Sequence, residues 1–204
     1  MIDDLDRTVE VLLEQELPPE LVSPEATTQV TISLATPDDQ FPPTSVTLPA
    51  IDLFLYDVRE NHELRTNEWV LERQSDGTAT RKRPPVRVEC SYLVTAWASE
   101  SSTTPALDEH HLLGEVLKVL LRHPTIPAAV LQGSLQGQDP PLPAITLQPG
   151  RLQSLGEFWQ ALGGKPKAAL NYTVTFGAEI HRAVEAPVVT DKMLKFRVEK
   201  EVSP

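Results

Sequence analysis

At 204 residues the chain has the length of one ordinary domain and enough material to bury an apolar core without staples. Eighteen Lys and Arg against 29 Asp and Glu leave a formal charge of −11, which repels phosphate backbones and argues against a nucleic-acid partner. Cys90 has no second cysteine to pair with, the start carries Asp3, Asp4 and Asp6 where a secretory signal would be basic, and no stretch approaches the ~20 apolar residues of a membrane span; the expectation is a cytoplasmic protein without membrane insertion.

Ile2, Leu5, Val9, Leu12, Leu13 and Leu17 recur at helical spacing, with Asp3 available as an N-cap and Pro18-Pro19 forbidding continuation. Val30, Ile32 and Leu34 then alternate with polar residues as a strand covered on one face does. After a segment broken by Pro37, Pro42, Pro43 and Pro49, residues Ile51 to Val58 are apolar in both alternating sets: Ile51, Leu53 and Leu55 against Phe54, Tyr56 and Val58. That pattern predicts a strand with cover on two sides.

Trp69 to Leu71 and Thr78 to Thr80 flank Asp76-Gly77, a pair suited to a tight hairpin. A basic run, Arg81-Lys82-Arg83, follows; it reads as a solvated hairpin flank or as a contact for an acidic partner surface. From Val86 to Trp97 a long strand is predicted, with Val88, Cys90, Tyr92, Val94 and Ala96 on one side. Thr104-Pro105 opens a helix whose stripe is Leu113, Val116, Leu117, Leu120 and Leu121, stopped by Pro124.

Residues 124 to 150 hold short apolar runs, Ala128 to Leu131 and Ala144 to Leu147, readable as short strands or extended crossings, and Gly133 to Gly137 reads as a turn. Ser154 and Glu157 form a capping box before Leu155, Phe158, Trp159 and Leu162, with Gly163-Gly164 ending a short helix. Tyr172 to Ile180 alternate as a half-buried strand, and Leu194, Phe196 and Val198 alternate with charged residues in a strand-like arm. The fold class is α+β: a single domain over residues 1–182, a mostly antiparallel or mixed sheet with two to three packed helices, and an extended C-terminal arm over 183–204.

Few residues are arranged for chemistry. Asp108-Glu109-His110-His111 cannot converge on one ion, because adjacent helical residues diverge by about 100°. No nucleophile elbow or phosphate loop occurs, and no catalytic, metal or cofactor residues are assigned. The most informative polar cluster, to which Tyr56 is added as a candidate subunit contact, is Arg59-Glu60-Asn61 with Arg65, directly after the two-faced strand. It reads as a strand-end turn held by an ion pair and an Asn side-chain bond, or as an intersubunit contact.

Five ordered blocks resemble a known family: Leu53 to Asn61 with Arg65, Ser91 to Trp97, Glu109 to Gly114, His123-Pro124, and Leu155 to Leu162 around Trp159. They are similar to the N-terminal domain of tail-terminator, or cap, proteins of phage-tail-like contractile injection systems of the antifeeding-prophage type. The resemblance runs from about residue 5 to about residue 182. It implies a non-enzymatic structural part: a ring, usually a hexamer, on the distal end of the inner tube and contractile sheath that ends polymerisation, with itself, the tube protein and the sheath protein as partners, assembled into the injection particle. Beyond it, an alternating strand is a template for β-augmentation, so Leu194, Phe196 and Val198 are expected to pair with a neighbouring subunit or the last sheath ring. A baseplate or tube adaptor of the same particle is the alternative, and a hydrolase using His110 and His111 the remote one.

Overall fold

The computed structural model describes residues 1–23, 29–73, 78–139, 141–147, 155–182 and 184–187. In chain order it runs α1 (Ile2–Glu16), α2 (Pro19–Val22), β1 (Thr31–Ser33), β2 (Ala50–Glu60), β3 (Val70–Arg73), β4 (Thr78–Lys82), β5 (Val86–Trp97), α3 (Pro105–Arg122), β6 (Ala144–Thr146), α4 (Leu155–Ala161), β7 (Ala169–Ala178) and β8 (Val184–Pro187), with 3-10 turns at Ala128–Val130 and Gly133–Leu135. This is the α+β architecture expected. The elements fall into two units, residues 1–65 with 86–178, and residues 66–85 with 179–204.

The first unit is built on a five-stranded sheet in the order β1-β2-β5-β7-β6, in which only β1 and β2 run parallel. Its apolar face carries Ile51 and Leu53 from β2, Cys90, Tyr92, Val94 and Ala96 from β5, and Leu170, Tyr172, Val174 and Phe176 from β7. Onto that face pack Leu5, Val9, Leu12 and Leu13 of α1, spaced to share one side of a helix. From α3 come Leu112, Val116, Val119 and Leu120, with Leu113 and Leu117 only partly covered. Leu121, placed in the stripe by sequence spacing, is 53% exposed. The buried face is thus rotated from the expected stripe, because Leu112 and Val119 complete the spacing 112, 116, 119, 120.

Several other expectations are corrected. Asp3 does not cap α1, whose N-cap position is Met1 without a side-chain bond. It is Asp4 that bridges to another element, accepting the Ser134 amide at 3.0 Å and its hydroxyl at 2.6 Å, which holds the Asp4 carboxyl down at about 2. Gly133 beside it has φ +51°, and a Cβ there would overlap the Asp4 carboxylate, so the turn needs glycine for both reasons. Ala128–Val130 is a 3-10 turn rather than a strand, and Val130 and Leu135 plug the core from these turns. Strand β7 is not half-buried: Tyr172 to Ala178 are buried on both faces, and Ile180 lies beyond its end. The Ser154 cap falls outside the described residues.

On the second face of the sheet, Phe158 of α4 meets Phe54 and Tyr56 of β2, with ring centroids 6.1 and 6.3 Å apart, and Trp159 is buried. The proline-rich segment before β2 contributes Phe41, stacked 4.2 Å from Trp97, and Lys167 lies 4.0 Å over the same Trp97 ring while bonding Glu109 of α3 at 2.6 Å.

In the second unit, β3, β4 and β8 form a three-stranded antiparallel sheet. The hairpin between β3 and β4 was expected, while its Asp76-Gly77 turn lies outside the described residues. The run 184–187 is too short for its alternation to mark β8.

Asp52 is fully buried on β2, opposite Ser33 of β1 and Thr95 of β5. Burial pushes its carboxyl up from 3.8 to about 7, and the Ser33 hydroxyl and Ala35 amide offset this only in part. A folded-state pKa above the unfolded one means the folded protein holds the proton longer, so its contribution is fully present below about pH 4 and is lost as pH rises through about 7. Asp52→Asn is expected to remove that decline, raising stability at pH 8 by roughly 4 kcal/mol at most while changing little near pH 4. Urea midpoints of both proteins between pH 4 and 8 check this; parallel curves would refute it.

Candidate interaction surface

The second half of β2 carries the polar cluster singled out in the sequence. Its pairing with β5 slips by one residue between Leu55 and Asp57: Leu55 stands opposite Tyr92, Asp57 opposite Ser91, and Tyr56 between them has no counterpart. This bulge flips the alternation. Before it, Leu55 shares a face with the core residue Tyr92; after it, Val58 takes that face opposite Cys90 and Arg59 stands opposite Glu89. Val58 therefore leaves the set that Phe54 and Tyr56 define, contrary to simple alternation, and is 46% exposed.

The bulge puts Tyr56 where its hydroxyl donates to Asn171 Oδ1 of β7 at 2.8 Å, across the intervening β5. Arg59 clamps Asp57, with Nε donating to Oδ2 at 2.6 Å and a second guanidinium nitrogen on the same oxygen. Asn61 ends the strand: its Nδ2 donates to Glu89 Oε2 at 2.9 Å, and its Oδ1 accepts the amides of Glu63 and Leu64 at 3.1 and 3.0 Å. That is a side-chain-built turn. Glu60 stands apart, opposite Val88, with Arg65 at 3.6 Å.

Tyr56, Arg59 and Asn61 are thus brought together with three partners that sequence spacing did not single out, Asp57, Glu89 and Asn171, whereas Glu60 and Arg65 form a separate, more exposed pair. Leu194, Phe196 and Val198 lie outside the described residues.

The two long edges of the sheet differ. Along β7 the outer backbone is engaged: β6 pairs with residues 172–174, Leu147 donates to the Asn171 carbonyl at 3.1 Å, Thr175 to the Pro143 carbonyl at 3.0 Å, and the Gln138 carboxamide closes on Gly177 through both its atoms, at 2.5 and 3.0 Å. Along β2 the three residues of β1 pair only with Ala50 to Asp52, and among the described residues no strand covers the outer edge from Leu53 to Glu60.

His110 and His111 are both exposed on α3, and among the described residues no group of three or more His, Cys, Asp or Glu could hold a metal. Cys90 is buried and its thiol is pushed up to about 12, first by burial and then by nearby carboxylates, which keeps it protonated. Among the described residues no helix is long and apolar enough to cross a membrane.

Residues 4–190 match the family described as the Pvc16 N-terminal domain. The chain belongs to that family. The fold of this Pvc16 N-terminal domain is also that of a sheath/tube terminator of an extracellular contractile injection system (PVC), solved by cryo-EM in its extended state: TM-score 0.68 at 23% identity, covering 100% of this chain and 65% of that one. A cryo-EM structure of the anti-feeding prophage cap, a tube-terminating cap, is similar at TM-score 0.55 and 24% identity over 97% of this chain and 61% of that one. The Pvc16 N-terminal domain chain therefore spans less than two thirds of the length of either structure. No curated protein matches it in sequence.

The bonding of the cluster ranks its members in this Pvc16 N-terminal domain. Asn61→Ala, which removes three bonds, is expected to cost about 2 kcal/mol, Tyr56→Phe about 1 kcal/mol, and Arg65→Ala less than about 1 kcal/mol because its ion pair is long and exposed. Denaturant midpoints test the ranking; an Arg65 effect larger than that of Asn61 would reverse the account.

Proposed function

We propose that this chain is a structural, non-catalytic terminator that closes the end of a contractile injection tube and its sheath. The observation that carries this reading is membership of the Pvc16 N-terminal domain family over residues 4–190, joined to a fold shared with two terminators over nearly the whole chain. On this reading the chain works as a ring of identical copies, six in number, that contacts the last layer of inner tube and of sheath and offers no surface for another layer. It is made in the cytoplasm and travels with the particle.

The molecule's physical properties support such a role. A sheet packed on both faces is stiff, and the polar cluster at the end of β2 is fixed by bonds within the chain before any partner arrives. In the ring, Tyr56, Arg59, Glu60, Asn61 and Arg65 form part of the contact between subunits. The alternating arm, with Leu194, Phe196 and Val198 on one side, adds a strand to a neighbouring subunit or to the last sheath ring, and the outer edge of β2 from Leu53 to Glu60 is an acceptor of the kind such an arm requires.

Native mass spectrometry of the purified protein, alone and with tube and sheath proteins, tests the ring: the expected mass is six times the 22.6 kDa of one chain, and a strict monomer that ignores both partners would sink the proposal. Deleting residues 188–204 is expected to abolish co-sedimentation with sheath while leaving the thermal transition in place; full sheath binding by the truncated chain would remove the role of the arm.

A further inference from the structure

The hairpin of the second unit carries a surface that the terminator reading leaves unused. Leu71 pairs with Arg81 and Val70 with Lys82, a register that sets Trp69 opposite Arg83, so Trp69, Leu71, Arg81 and Arg83 share one face of the ribbon. The guanidinium carbon of Arg81 lies 3.9 Å from the centroid of the Trp69 ring and that of Arg83 lies 5.1 Å from it. Trp69 is 39% exposed and Leu71 56% exposed. Among the described residues neither Arg81 nor Arg83 has a carboxylate partner. Two cations gathered on one ring repel each other, and an anion brought between them relieves that repulsion. An exposed Trp flanked by arginines, with an aliphatic neighbour, is the composition that anchors protein interfaces.

The charge of the chain says what the anchor meets. Residues 66–85 and 179–204 together hold nine basic and eight acidic side chains, so the rest of a chain with total charge −11 carries −12. Its self-repelling part is α1, where Asp6, Glu10 and Glu14 follow one another at four-residue spacing on one side of the helix. Asp6 is engaged by the Tyr92 hydroxyl at 2.7 Å. Glu10 is held above the usual carboxylate range by burial and by Glu14 and Asp6, with Arg7 acting the other way, and Glu14 is exposed. This stripe lacks a matching row of cations on its own helix.

From this complementarity we infer that the Trp69–Arg81–Arg83 face of one copy docks on the Glu10–Glu14 stripe of the next copy, head to tail. A contact between two different patches closes into a ring when its rotation permits, which a self-complementary patch does not do beyond a dimer. The inference rests on the ring reading above and names one of its contacts.

Two reversed proteins test it, Arg81→Glu with Arg83→Glu, and Glu10→Lys with Glu14→Lys. Arg81, Arg83 and Glu14 are exposed and Glu10 is partly covered, so melting temperatures are expected to stay near that of the wild type; if one reversed protein misfolds, glutamine at the same positions reads the same loss. Each protein alone is expected to self-associate on the order of 100-fold more weakly in sedimentation and native mass measurements, because like charges then face each other. Mixed in equal amounts they are expected to regain the wild-type assembly with the two kinds alternating, and the wild-type assembly itself to weaken as salt is raised. A wild-type ring whose reversed versions still assemble, or whose mixture does not recover, overturns this contact and leaves the terminator reading standing. A wild-type chain that is monomeric throughout overturns both.

Discussion

The first unit hangs on β5. Val86–Trp97 is hydrogen-bonded along almost its whole length on both sides, to β2 and to β7, and eight of its side chains in succession, Glu89 to Ala96, are buried, as is Arg87. A strand in that position has little water for its polar side chains, and its second face is matched internally in part: Ser91 Oγ meets Thr173 Oγ1 at 3.2 Å, and Trp97 Nε1 donates to Thr95 Oγ1 at 2.9 Å, while Arg87 Nε is buried without a hydrogen-bond partner among the described residues. The first face is apolar and receives α1 and α3. Any displacement of β5 would move both neighbouring strands and the helices that rest on all three, which makes the sheet one mechanical piece.

Against that background the polar cluster at the end of β2 reads as a device for stopping a strand cleanly. The bulge at Tyr56 turns the alternation over just where core cover ends, and Asn61 folds the chain back while bonding Glu89 of β5. The surface left there is charged, and its side chains are already held. A surface held in this way loses little side-chain freedom in any contact it makes.

The parts of this fold that were legible in the sequence are those in which one periodicity runs unbroken. The apolar spacing of α1, the Pro-marked start of α3 and the long alternation of β5 all appear in the structure with bounds close to those expected. What escaped depends on residues far apart in the chain. The buried face of α3 is set by the elements it packs against, and a stripe counted along the helix pointed to Leu121 instead of Leu112 and Val119. The second burial of β7 comes from cover supplied elsewhere, and its threonines, Thr173 and Thr175, looked solvent-facing because threonine is at home on either side of a sheet. In the candidate surface, Arg59 and Asn61 were visible as polar residues following an apolar strand and Tyr56 as a member of that strand's apolar set, but Glu89 and Asn171 belong to other strands and only pairing register brings them in. A bulge is a single extra residue, and alternation counted along one strand has no means of detecting it.

At the far side of the sheet the Gln138 carboxamide stands where another strand's peptide group would, offering Gly177 one acceptor and one donor. One amide side chain thereby terminates a ladder that would otherwise invite continuation. With the backbone of β7 engaged on that side and the outer side of β2 met by a described strand only at Ala50 to Asp52, the two long strands that flank β5 differ in how much of their outer backbone a described partner covers. An unequal pair of flanks gives the sheet a direction in which extension by a further strand is easier.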